Sequence, residues 1–171
     1  MNKFIGAMGA DIHMYLERWT NVTNNNCPRL KSKSQIRDEK ISTLLDKDIA
    51  FVYKWESCDD WWCDNGDWEC FHIYENRNYR LFSFLADVRN DGSITPLDEP
   101  RGIPKDASES FLWICKAWSG NAHSHSWFLL EELLKVDRQV WLDLYCEHFI
   151  EALEAIGGDP TEVRVCFFFD N

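Results

Sequence analysis

The sequence predicts an α+β fold: a mixed or antiparallel sheet pairing the N- and C-terminal strands, helices packed on it, and an added Asn-Gly β-hairpin. Three observations carry that expectation. Residues 11–19 alternate with a period of two, placing Ile12, Met14 and Leu16 on one side and Asp11, His13, Tyr15, Glu17 and Trp19 on the other. Residues 162–169 are rich in β-branched and aromatic side chains, which suit a pleated surface. Between these two ends, apolar residues recur at helical spacing.

In chain order, residues 21–48 are polar and weakly patterned and read as a long loop or insertion at about 20–48, with room for a short helix near 35–45. Ile49 to Trp55 reads as a second strand. Asp64-Asn65-Gly66-Asp67 between aromatic flanks is a hairpin signal, because Asn-Gly accepts the positive φ angles of a type I′ turn. Tyr79 to Val88 reads as a helix, ended by Asn90-Asp91-Gly92 and followed by a loop carrying Pro96, Pro100 and Pro104. A short helix is expected over about 107–117, another from Phe128 to Leu134, and the longest over about 138–156. In that last segment Val140, Trp141, Leu144, Tyr145, Phe149, Leu153 and Ile156 share helical spacing, with Asp137 placed to cap the start and Gly157 past the end. Along the final strand Val163, Val165, Phe167 and Phe169 take one face, and Arg164, Cys166, Phe168 and Asp170 the other.

The 171 residues fit one domain. Hydrophobic residues make up 45% of them, enough to build a core and too many for a disordered chain. No apolar run is long enough for a membrane span, and the first residues lack a signal-peptide core, so a soluble, cytoplasmic protein is expected. The formal charge of −11 argues against direct nucleic-acid binding, which needs clustered Lys and Arg. An acidic surface suits a basic partner instead, including the groove of a nucleic-acid-binding enzyme. The seven cysteines read as reduced thiols. Cys58, Cys63, Cys70 and His72 do not match the close ligand pairs of structural zinc sites.

Two histidine-containing pairs are the sharpest chemical signal. Asp11 and His13 lie two apart on a strand and share a face; His123 and His125 do the same if their segment is extended. Such D-x-H and H-x-H pairs supply the imidazole nitrogen and carboxylate oxygen that zinc, manganese or iron accepts, with Asp170 as a further group. The same residues also fit a metal-free polar pocket, or hydrogen-bonded histidines at a sheet edge and in a loop. Arg80 and Arg101 are candidates to steady a substrate's negative charge, although Arg101 also has acidic neighbours to pair with. A second cluster, Asp59, Asp60, Trp61, Trp62, Asp67 and Trp68, mixes carboxylates with aromatic rings around the hairpin tip and fits either a partner-binding surface or a buried core.

Several stretches together carry a resemblance: Met8-Gly9-Ala10-Asp11-Ile12-His13, Arg77-Asn78-Tyr79-Arg80-Leu81-Phe82 leading to Leu85-Ala86-Asp87-Val88-Arg89-Asn90, and Glu99-Pro100-Arg101-Gly102-Ile103-Pro104. His123-Ser124-His125-Ser126-Trp127 and the C-terminal Phe169-Asp170-Asn171 complete it. The chain resembles a group of small bacteriophage and prophage proteins that often begin Met-Gly-Cys-Asp-Ile-His. Ala10 stands where that group often has Cys, and the resemblance leaves open whether Met8 corresponds to its usual start. The group has no settled activity, so the resemblance implies phage origin and a place in the cytoplasm of an infected bacterium. Two functions are then expected. One is inhibition of a host antiviral defence system, in the manner of an anti-CRISPR protein, by binding a basic effector surface. The alternative is a metal-dependent phosphoester hydrolase, a nuclease or an enzyme degrading a nucleotide signal. There Asp11, His13, His123 and His125 hold the ion, and Asp170, Arg101 and Arg80 assist.

Overall fold

A computed structural model of the chain describes residues 9–19, 53–54, 68–146, 149–150 and 159–170. Five strands form one antiparallel sheet: β1 (Ile12–Trp19), β2 (Tyr53–Lys54), β3 (Trp68–Asn76), β4 (His123–Leu129) and β5 (Val163–Phe169), in the spatial order β2-β3-β1-β5-β4. The expected pairing of the two ends is present. Ile12 faces Phe169 and Arg18 faces Val163, so β1 and β5 run antiparallel through the centre of the sheet. The Asn65-Gly66 turn lies outside the described residues, as does the 20–48 segment.

Helices described along their whole length are α1 (Tyr79–Ala86), α2 (Glu109–Ala117), α3 (Leu130–Leu134) and α4 (Arg138–Asp143). Side chains hold their starts: Asn78 accepts from the Leu81 amide, Ser108 from the Phe111 amide and Asp137 from the Gln139 amide. Two helix expectations are corrected. Phe128 belongs to β4, because its backbone pairs with Val165, and α3 begins only at Leu130. The segment from 138 is not one continuous helix either. α4 ends at Asp143, and Tyr145 turns into the left-handed region at φ 59°. The apolar spacing persists across that break, since Trp141, Leu144 and Phe149 are all buried.

Helices cover both faces of the sheet rather than one. On the first face Ile12, Met14 and Leu16 from β1 join Val163, Val165, Phe167 and Phe169 from β5 beneath residues of α1, α3 and α4, including Phe82, Leu85, Leu133 and Trp141. On the second face a smaller cluster gathers Tyr15, Cys166 and Phe168 with Phe111, Ile114 and Cys115 of α2. Full burial of a large apolar side chain contributes about 1.5–3 kcal/mol. The first face therefore supplies most of the stabilisation. Among the described residues no helix is long and apolar enough to cross a membrane.

Candidate functional site

Period-two alternation along β1 and β5 sends nearly every chemically distinctive side chain of the central strands to the second face. At its middle, Glu17 is wholly buried and accepts hydrogen bonds from Arg164 Nε (2.6 Å), the Ser108 amide (2.8 Å) and Cys166 Sγ (3.4 Å). Arg164 reaches on to Asp106, donating to its Oδ1 at 2.7 Å and its carbonyl at 3.0 Å. An ion pair this deep repays its desolvation only with full hydrogen bonding, and here both oxygens of Glu17 are engaged. Burial, with Glu17 nearby, pushes the Cys166 thiol well up and the Cys115 thiol up to about 12, so both are protonated at neutral pH.

At the end of the same face a polar corner forms where β1 starts and β5 finishes. Asp170 accepts from the Asp11 amide (3.0 Å) and from His13 Nε2 (3.2 Å). His13 is buried between rings, 4.4 Å from Trp118 and 5.0 Å from Phe168 by centroid. Arg77, just past the end of β3, grips Asp11 with two nitrogens (2.5 and 3.1 Å), holding the Asp11 carboxyl below its ordinary range. Gly9 makes room for this: a Cβ there would lie 2.5 Å from Arg77 Nη1.

The two histidines of β4 are separated. His123 pairs with Phe169 and Ser126 with Phe167, so Ser124 and His125 together oppose the single residue Phe168, a β-bulge. Ser124 adopts φ 50°, the left-handed conformation that glycine usually takes at such a bulge. The extra residue resets the alternation. His123 lies against Phe169 on the first face and His125 against Phe168 on the second, and those neighbouring phenylalanines point to opposite sides. Sharing of one face by His123 and His125 is thereby corrected. Nε2 of both rings is buried without a hydrogen-bond partner. Burial, followed by the neighbouring His123, lowers the pKa of His125, which stays neutral at neutral pH.

Of the proposed ligand set, Asp11, His13, Asp170 and His125 thus share the second face and His123 does not. The Phe168 ring lies between His13 and His125, at 5.0 and 5.3 Å from their centroids. Asp11 is held by Arg77 and His13 by Asp170. Among the described residues no three His, Cys, Asp or Glu side chains are grouped to hold a metal ion. Arg101 is bound by Asp98 (2.9 Å) and by both oxygens of Glu132 (2.8 and 2.9 Å), and it lies over the Phe128 ring at 4.4 Å. Its backbone amide also donates to Ser126 Oγ (3.1 Å), and the Gly102 amide donates to the His125 carbonyl (2.8 Å), so this loop covers the outer edge of β4. Arg80 sits on α1, donating to the Asp143 carbonyl at 3.0 Å. Asp59, Asp60, Trp61, Trp62 and Asp67 lie outside the described residues, and Trp68 opens β3 opposite Trp19.

Sequence reasoning did not single out Glu17, Arg164, Asp106, Arg77 or Trp118 as partners. A signal for the first two was present, since the alternation puts an acid on β1 and a base on β5 on the faces that also carry His13 and Phe168. No known family model, curated protein or solved structure matches the chain.

Proposed function

We propose that the chain is an acidic binding protein that occupies a basic surface of a partner, and that the partner is a nucleic-acid-binding effector of a bacterial antiviral defence system. The observation that carries this reading is the net charge of −11, which complements a groove built for phosphates and speeds encounter with it. The resemblance to phage proteins supplies the biological setting, the cytoplasm of an infected bacterium. The hydrolase alternative has less support. Asp11 is paired with Arg77, Asp170 with His13, and Arg101 with Asp98 and Glu132, and His123 lies on the opposite face from His125.

The test is titration of the full chain against guide-loaded CRISPR effector nucleases while target-DNA cleavage is followed. Inhibition should be complete at one chain per effector, relieved by excess duplex DNA, and weakened as salt rises. Triple charge reversal (Asp59→Lys, Asp60→Lys, Asp67→Lys) should slow association at least tenfold. Inhibition by far less than one equivalent would mean turnover and favour an enzyme. An unchanged on-rate in the triple variant would remove the hairpin region from the binding surface.

A further inference from the structure

We propose that the surface where α1 meets the end of α4 pairs with the same surface of a second copy of this chain, forming a twofold dimer through Tyr145, Arg80 and Asp143. Tyr145 follows α4 in the left-handed conformation, φ 59°, which glycine usually supplies just past a helix. Three other non-glycine residues among those described share a positive φ, and all are polar: Asp87, Arg89 and Ser124. A bulky ring in this conformation strains the backbone, and such strain is kept where the residue serves a purpose. Core packing is not that purpose, since Tyr145 is 76% exposed. Among the described residues the ring interacts with one group, the Arg80 guanidinium, 5.8 Å from its centroid.

Two charges sit beside this ring without neutralising each other. Arg80 Nε donates to the Asp143 carbonyl (3.0 Å), while the Asp143 carboxylate accepts from Gln139 (2.9 Å). Neither side chain forms an ion pair among the described residues, whereas Arg77, Arg101 and Arg164 each do. The charge of Arg80 is felt by Asp91, but the two form no ion pair. Leu142, 38% exposed, adds apolar area on the turn into Tyr145, whose amide donates to its carbonyl. A surface with one unpaired cation, one unpaired anion and an open ring complements itself. A rotation of 180° sets each Arg80 fork against Asp143 of the other copy and brings the two Tyr145 rings together near the axis. A purely acidic or purely basic partner would satisfy one of these charges, and a second copy satisfies both. Tyrosine and arginine are also the side chains that concentrate binding energy in small contacts. None of this depends on the binding function proposed above.

Sedimentation velocity of the full chain from about 10 to 500 μM, the range in which a small interface associates, tests the dimer. The sedimentation coefficient should rise with concentration towards that of a dimer, and a monomer throughout would overturn the proposal. Tyr145→Gly separates the dimer from the fold. Glycine takes the left-handed conformation without strain, so the melting temperature should be kept while association weakens roughly tenfold or more. Arg80→Asp and Asp143→Arg, both at exposed positions, should each weaken association by roughly the same factor. The double variant, with the two charges exchanged, should return it to within about threefold of the parent. Association that survives Tyr145→Gly unchanged, or that the charge exchange fails to restore, would place the contact elsewhere and refute the twofold pairing.

Discussion

On β5, Val163, Val165, Phe167 and Phe169 enter an apolar layer, whereas Arg164, Cys166 and Phe168, one residue out of step, lie among Glu17, Tyr15 and His13. The same strand thus serves two environments. The apolar face needs only volume and shape to be satisfied, and many side chains of similar size would fill it. On the second face Glu17, Arg164, Ser108 and Asp106 meet one another's hydrogen-bonding needs as one connected set. Removing a single member of such a set leaves the others stranded, which makes its residues far less replaceable than their neighbours across the sheet.

The largest effects should come from single truncations on either face. Phe167→Ala should cost about 3–5 kcal/mol through lost transfer energy and a cavity. Arg164→Ala should cost about 3–5 kcal/mol because Glu17 is left buried with its charge uncompensated. Urea unfolding of each variant measures both. The double variant Glu17→Leu, Arg164→Met separates the faces. It should lie within about 2 kcal/mol of the parent, since an apolar pair of similar volume replaces a buried ion pair at little cost. A double variant as unstable as the two singles combined would break the distinction.

A smaller effect belongs to pH. His125 has a folded-state pKa below its ordinary 6.5, so the unfolded chain binds a proton more readily than the folded one. Its contribution to stability is therefore fully present above about 6.5 and is lost as pH falls below that value. Thermal unfolding from pH 7.5 to 5 should show this loss, and His125→Asn should flatten the profile. A variant that retains the full slope would assign it to other groups. The smallest effect is expected at Gly9→Ala. The added Cβ displaces the tip of Arg77, a flexible and exposed side chain, so the Asp11 pair is lost while the melting temperature barely moves.

Period-two patterning in residues 11–19 and 162–169 was enough to read the central strands, their pairing and their two faces, because each face is buried and a one-residue slip would invert both. α1 and α2 were also legible as helices, although the Asn78 and Ser108 side chains that cap them were recognised only in the fold. The β4 region was not. His123-Ser124-His125 reads as a simple alternation, and only the left-handed backbone at Ser124 sends the histidines to opposite sides; serine gives no local hint of a conformation that glycine normally marks. The break at Tyr145 is hidden likewise, since helical spacing continues through it. Candidate ligands were visible as residue types, but their occupation by Arg77, Asp170 and Glu132 depends on contacts between residues far apart in the chain.

The central claim is that Asp11, His13, Asp170 and Arg101 are committed to partners within the fold while His123 and His125 lie on opposite faces of the sheet, so that these residues do not assemble a metal centre. The most direct measurement is elemental mass spectrometry of the purified, untagged chain beside His125→Ala. The expected result is the same zinc, manganese and iron content in both proteins. About one equivalent of a metal in the parent, lost in His125→Ala while the fold is retained, would contradict the claim and restore the hydrolase.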